Sequence, residues 1–285
     1  MQYVDFYGNK VSKLIVGDNP ITGHSYIPHI IPGTEMIDYY KTENVLKLLF
    51  ELEELGVNTM LPLAHPYILR VLGEFKRAGG KMQFIFQPYM PMNQYASCRE
   101  MMALEPIGIY HQGTTTDYNH ETGNDEKTRE QIAQYRELMP GVPVGIGTHR
   151  PDVIRMCEEE GWDVDFYMAC MHNGRRDREG EPSGFLTGKT KENLSFYGCD
   201  RPIMLNTLKN VEKPIIAFKI FAGGQMLCNK QGQEKKDAIK GVYEEIFTSL
   251  KPNDFAAMGV FQRDEDQARE NVELFNEWAA EKDLK

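Results

Sequence analysis

The stretch Val144-Gly145-Ile146-Gly147-Thr148-His149 is a short apolar run that reads as a β-strand and ends in a histidine. Three more runs repeat the pattern. Asn58-Thr59-Met60-Leu61-Pro62-Leu63-Ala64 precedes His65, Ile107-Gly108-Ile109-Tyr110 precedes His111, and Phe166-Tyr167-Met168-Ala169-Cys170-Met171 precedes His172. Helix-period segments separate the runs, so the strands are expected to be parallel, with their C-terminal ends on one side. Four of the seven histidines are thereby predicted to converge on one mouth, where α/β barrels keep their chemistry.

Working outward, residues 3–16 read as two short strands around the turn dipeptide Gly8-Asn9, leading into Leu14-Ile15-Val16-Gly17. A loop over 18–41 follows. Thr42 then caps a helix with an apolar stripe at Val45, Leu48, Leu49 and Leu52, stopped by Gly56. The alternation continues with helix 67–78, strand 82–87, a helix to 104, strand 107–111 and helix 126–138. Strand 143–148, helix 151–160, strand 164–171, helix 201–211, strand 214–219, helix 233–249, strand 255–260 and helix 264–281 complete it. This predicts an α/β fold, a single (β/α)8 TIM barrel with an N-terminal β-hairpin, as one domain over 1–285. The Gly-rich stretch 172–200 is the expected irregular, lid-like excursion.

With 285 residues, the chain has the length of one such barrel. A formal charge of −10 argues against a nucleic-acid surface, and the one cationic cluster, Arg175-Arg176-Asp177-Arg178, is diluted by Glu179 and Glu181. On that loop the arginines could recognise an acidic substrate or simply be solvated. Five cysteines with no C-x-x-C pair fit reduced thiols, and Cys157 and Cys170 lie inside apolar runs. Neither a signal-peptide pattern at Met1-Gln2-Tyr3-Val4-Asp5 nor a membrane-length apolar stretch is read, so a cytoplasmic protein acting on a small molecule, with no membrane partner, is expected.

Several segments resemble the aldo-keto reductase superfamily, in that family's order. Gly8-Asn9-Lys10-Val11-Ser12-Lys13-Leu14-Ile15-Val16-Gly17 is similar to its hairpin and first strand, and Gly56-Val57-Asn58-Thr59-Met60 to its second-strand motif. Ala217-Phe218-Lys219-Ile220-Phe221-Ala222-Gly223-Gly224 resembles its seventh-strand segment, and Asp266-Gln267-Ala268-Arg269-Glu270-Asn271 its E-Q-x-x-E-N. The resemblance implies an NADP-dependent carbonyl reductase with an Asp, Tyr, Lys and His tetrad. Position by position, the aspartate falls on Leu61 and the lysine on Gln87; Tyr67 reaches the tyrosine position only with a one-residue insertion, and His111 matches the histidine. The nicotinamide clamp falls on Gly147, Thr148 and Ala169, whereas the pyrophosphate and adenosine side looks intact at Gly223, Gly224, Gln267 and Asn271.

Two functional expectations follow. In the first, an altered NADP-dependent carbonyl oxidoreductase is centred on His111, with Tyr67, Lys219, His149 and His172 as catalytic candidates. Gly223, Gly224, Arg263, Gln267 and Asn271 would hold the cofactor, at the usual phosphate position of a barrel. Lys219 could equally be a salt-bridged lysine, and Gly223-Gly224 a tight turn. In the second, Asp18, His24, His65, His111, His149 and His172 hold a divalent metal for a hydrolase, lyase or isomerase. No H-x-H or H-E-x-x-H spacing fixes that geometry, and the histidines could instead bond substrate or loops. A non-catalytic binding protein is a third reading.

Overall fold

A computed structural model describes residues 1–172 and 196–282. Two strands, β1 (Tyr3–Phe6) and β2 (Asn9–Ser12), form an antiparallel hairpin. Its turn is Tyr7-Gly8, with φ of 51° and 82°, one residue earlier than the sequence suggests. Eight parallel strands then close into a barrel: β3 (Leu14–Gly17), β4 (Thr59–Leu61), β5 (Gln83–Phe86), β6 (Gly108–His111), β7 (Val144–Thr148), β8 (Phe166–Cys170), β9 (Ile215–Phe218) and β10 (Phe255–Met258). Each pairs in parallel with the next, and β10 returns to β3. The expected TIM barrel with its separate hairpin is the architecture found.

Helices alternate with the strands: α1 (Gly33–Tyr39), α2 (Thr42–Glu54), α3 (Pro66–Arg77), α4 (Gln94–Met102), α5 (Gly113–Glu121), α6 (Asp125–Leu138), α7 (Pro151–Glu159), α8 (Asp200–Leu208), α9 (Gly232–Ser249) and α10 (Gln267–Glu281). Two of these, α1 and α5, were not expected from the sequence. The segment 113–121 (GTTTDYNHE) has no apolar stripe and is rich in β-branched residues, so periodicity says nothing there.

Strand alternation sorts the core into two layers. Leu14, Val16, Phe84, Phe86, Ile109, Tyr167 and Ala169 pack outward against the helices. Ile15, Ile85, Tyr110, Phe166, Met168, Ile216 and Phe255 fill the lumen together with Val4, Phe6 and Val11 of the hairpin. The Phe6 ring meets Phe166 and Phe255 edge-on, with centroids 5.2 and 5.4 Å apart. Both partners are the first residues of their strands, so the hairpin plugs the N-terminal end of the barrel and leaves the C-terminal end for a site. The lid-like excursion expected over 172–200, with its arginine cluster, falls mostly on 173–195, outside the described residues.

Candidate active site

At the C-terminal end of β7, Thr148 and His149 meet a carboxylate that the sequence reading did not single out. Asp117 on α5 is fully buried and accepts hydrogen bonds from Thr148 Oγ1 at 2.5 Å, from the backbone N–H of His149 at 3.2 Å and from His149 Nδ1 at 2.7 Å. The approach of α5 to β7 makes this possible. A Cβ on Gly147 would stand 3.0 Å from the Gly113 nitrogen and 3.1 Å from the His111 carbonyl oxygen, so only glycine lets the helix start so close. The other ring nitrogen of His149, Nε2, lies 2.8 Å from Lys219 Nζ. These partners assign the tautomer. Nδ1–H donates to Asp117, and the Nε2 lone pair accepts from the Lys219 ammonium.

Lys219 follows β9, and strand alternation would send its side chain outward with Ile215 and Ala217. Its φ of 54° breaks that alternation, placing a non-glycine residue in the left-handed region. The half-buried ammonium is thereby brought to His149 and to the faces of Tyr26, Phe218 and Phe196, 4.8, 5.4 and 5.6 Å from their ring centroids. Burial alone would lower its pKa; Tyr26, Cys170 and Asp117 outweigh burial and hold it above the usual lysine value.

Across the mouth, Asp18 after β3 is buried, and its Oδ2 accepts the Leu63 N–H at 2.6 Å. Burial pushes its carboxyl up to about 7 against the pull of that hydrogen bond. Tyr110, a lumen residue, donates its hydroxyl to Gln87 Oε1 at 3.1 Å. Burial raises its pKa, and the nearby Asp18 and Tyr26 add to the rise. Asn19 Nδ2 donates to the Tyr26 hydroxyl at 3.3 Å. Asp18, Tyr110, Tyr26, Lys219 and His149 thus all lie at the C-terminal ends of barrel strands or on the loops that follow them.

The other candidates disperse. His111 shares the outward parity of Ile109. It is fully buried between β6 and the helices, 2.7 Å from Thr116 Oγ1 through Nδ1 and 2.8 Å from Gln131 Oε1 through Nε2. Burial lowers its pKa to about 4. Convergence of all four histidines on the mouth is therefore corrected: period-2 alternation puts His111 on the helix side. His65 is the N-cap of α3, its Nδ1 accepting the Tyr67 N–H at 3.2 Å, and its ring packs on Tyr89. Tyr67 donates its hydroxyl to the Tyr40 carbonyl at 2.9 Å. Buried His172 lies 3.5 Å from Arg201 Nη2 through Nε2, and burial followed by that guanidinium hold it down at about 4. Exposed His24 bonds Thr22 Oγ1 at 2.9 Å, its pKa lowered by desolvation and then by Lys219. Among the described residues no group of three or more His, Cys, Asp or Glu side chains is arranged to hold a metal ion.

The expected cofactor residues are already engaged. Arg263 is paired with Glu35 and Asp264. The Gln267 side chain accepts the Phe261 N–H, while Asn271 donates to the Gln267 carbonyl and accepts from the Tyr243 hydroxyl. Gly223, at φ 59°, leaves room for Tyr26, which a Cβ would meet at 2.5 Å. Of the clamp positions, Thr148 is bonded to Asp117 and Ala169 packs outward.

No protein-family model matches the chain, and no curated protein matches it by sequence. Solved structures do. The chain is similar to the dihydropteroate synthase of Xanthomonas albilineans, with a TM-score of 0.54 at 12% identity, covering 99% of each chain. It is also similar to a protein described as a 2,5-diketo-D-gluconic acid reductase B, with a TM-score of 0.55 at 12% identity over 100% of this chain and 91% of that one. A truncated 3-deoxy-D-arabino-heptulosonate 7-phosphate synthase from Thermotoga maritima gives 0.52 at 12%, covering 99% and 90%. At such identities these likenesses establish the barrel, a fold that a reductase and two synthases share.

Proposed function

We propose that this chain is a diverged aldo-keto-reductase-type barrel that has left hydride transfer behind. In its place it performs proton-transfer chemistry on a small carbonyl compound, as an isomerase or lyase. The observation that carries this is the chain of contacts from buried Asp117 through His149 to Lys219 Nζ, 2.7 and 2.8 Å long. His149 and the Tyr26 side chain engage two of the ammonium hydrogens, and the third can meet a carbonyl oxygen, where negative charge develops as the neighbouring carbon loses its proton. Asp18, with a carboxyl titrating near 7, is the group poised to accept that proton at neutral pH. In this reading Lys219 and Asp18 are the catalytic residues; His149 and Asp117 position the lysine. The likeness to a reductase is compatible with a carbonyl substrate, while the engaged state of Arg263, Gln267 and Asn271 favours chemistry without a nicotinamide.

Exchange of α-protons for deuterium tests it. The protein is incubated in D2O with pyruvate, glyceraldehyde or dihydroxyacetone, and the loss of the α-proton signal is followed by NMR. Exchange is expected, growing as pH rises through about 7 when the Asp18 base form accumulates. Asp18→Asn and Lys219→Met should each slow it by roughly 10²–10⁴-fold. Exchange unchanged by Lys219→Met, or absent with all three compounds, overturns the reading. Tight NADPH binding seen by fluorescence quenching would return the reductase to first place.

A further inference from the structure

We infer that Lys219 is an imine-forming lysine, whose Nζ attacks the carbonyl carbon of a small aldehyde or ketone and holds it covalently at the barrel mouth. This deepens the carbonyl reading above and rests on it. The first ground is the identity of the nearest partner. A lysine kept for structure away from solvent is ordinarily paired with a carboxylate, yet among the described residues no carboxylate lies within salt-bridge distance of half-buried Lys219. Its partner is the ring nitrogen His149 Nε2, a base that can receive a proton, and the carboxylate stands behind the ring. Lys219 rests as an ammonium held above the ordinary lysine value, so it can attack only after passing a proton to an adjacent base, and that ring nitrogen is the base in reach. The second ground is the surroundings. Tyr26, Phe218 and Phe196 present ring faces to the amine and offer apolar contact to the carbon substituents of a carbonyl compound. The third is the backbone at φ 54°, which turns Nζ away from the direction its strand would dictate.

The step balances without any outside oxidant or reductant. Lys219 passes one ammonium proton to His149 Nε2, and Asp117 stabilises the imidazolium through Nδ1–H. The freed lone pair forms the C–N bond, and the carbonyl oxygen becomes the carbinolamine hydroxyl as the second nitrogen proton moves to it. Imidazolium returns its proton to that hydroxyl, which leaves as water while the C–O bond breaks. One carbonyl compound and one ammonium have become one iminium, which keeps the last nitrogen proton, and one water. The iminium is a stronger electron sink than the carbonyl, so Asp18 then removes the α-proton more readily.

Reductive trapping tests the inference. Intact full-length protein is incubated with glyceraldehyde or pyruvate and sodium cyanoborohydride, which delivers hydride to the iminium and fixes it as a secondary amine. A single adduct per chain is expected by intact mass, mapped to Lys219 by peptide analysis and formed at least tenfold faster than on any other lysine. Lys219→Arg keeps the cation and should lose both the adduct and deuterium exchange. His149→Gln should slow trapping at neutral pH and regain rate as pH rises toward the free-amine range, a shift that a merely structural role for the ring would not produce. Adducts spread evenly over surface lysines overturn the imine. So does full exchange in Lys219→Arg, which would leave Lys219 as a cation that polarises the carbonyl. Neither exchange nor adduct in the unaltered protein removes the carbonyl reading together with the imine.

Discussion

At the scale of single residues, Gly147 decides whether the relay exists. The start of α5 rests on the end of β7 through Gly147 and Gly113, and the helix delivers Asp117 to His149 only at that separation. Gly147→Ala would drive a methyl into backbone atoms at 3.0 and 3.1 Å, which cannot rotate away as a side chain can. The expected cost is about 1–3 kcal/mol of stability by urea unfolding, with trapping at Lys219 falling by more than the fraction unfolded accounts for. Equal losses in stability and trapping would show that the close approach serves only packing. How far this site was legible in the sequence follows from the same residues. His149 and Lys219 were identifiable because each ends an apolar run. Asp117 was not, since it sits in a polar stretch that carries no period and finds its partners only through a helix–strand contact 32 residues away in sequence. His111 carried a readable signal against it. With Ile109 on the helix side, alternation places residue 111 there too.

At the scale of elements, the strands and most helices were written in apolar spacing and punctuation. The stripe Val45, Leu48, Leu49 and Leu52 is buried along α2 as its spacing requires. Both α3 and α7 begin at the prolines suited to a first helical turn. What spacing could not show is which end of the barrel the hairpin covers. That is set by contacts between Phe6 and rings in β8 and β10, far apart in sequence. Phe6 is fully buried and belongs to the lumen cluster, so Phe6→Ala should remove ~3–5 kcal/mol of stability, read from the denaturant midpoint. Because the plug and the site are at opposite ends, cyanoborohydride trapping at Lys219 should persist at temperatures where the variant remains folded. Loss of trapping in a folded Phe6→Ala protein would mean that the hairpin shapes the mouth as well as closing the base.

At the scale of the whole molecule, three buried titratable groups set opposing dependences of stability on pH. His111 and His172 have folded pKa values of about 4, below the ordinary histidine value, with burial the first cause in both. Their contribution is complete above about 6.5, where the unfolded chain is also neutral, and is lost as pH falls toward 4 and the unfolded histidines bind protons. Asp18 acts the other way. Its folded pKa of about 7 lies above the unfolded value, so its contribution is complete below about 4 and is lost as pH rises through 7. Around pH 5.5 the two histidines bind nearly two more protons in the unfolded state, and Asp18 binds nearly one more in the folded state; by pH 6.5 the unfolded histidines are half neutral and their excess has fallen to about one. Near pH 5.5 the three groups together leave stability rising by about 1 kcal/mol per pH unit, a slope that flattens toward pH 6.5. Asp18→Asn deletes the opposing group and leaves both histidines in place. Urea unfolding of the two proteins at pH 4.5, 5.5 and 6.5 should therefore give a steeper line for the variant, by about 1.4 kcal/mol per unit, and a stability advantage that widens toward neutral pH. Parallel lines would mean that Asp18 is ionised in the folded barrel throughout this range, and the base assigned to the mouth would then have to be sought in another group.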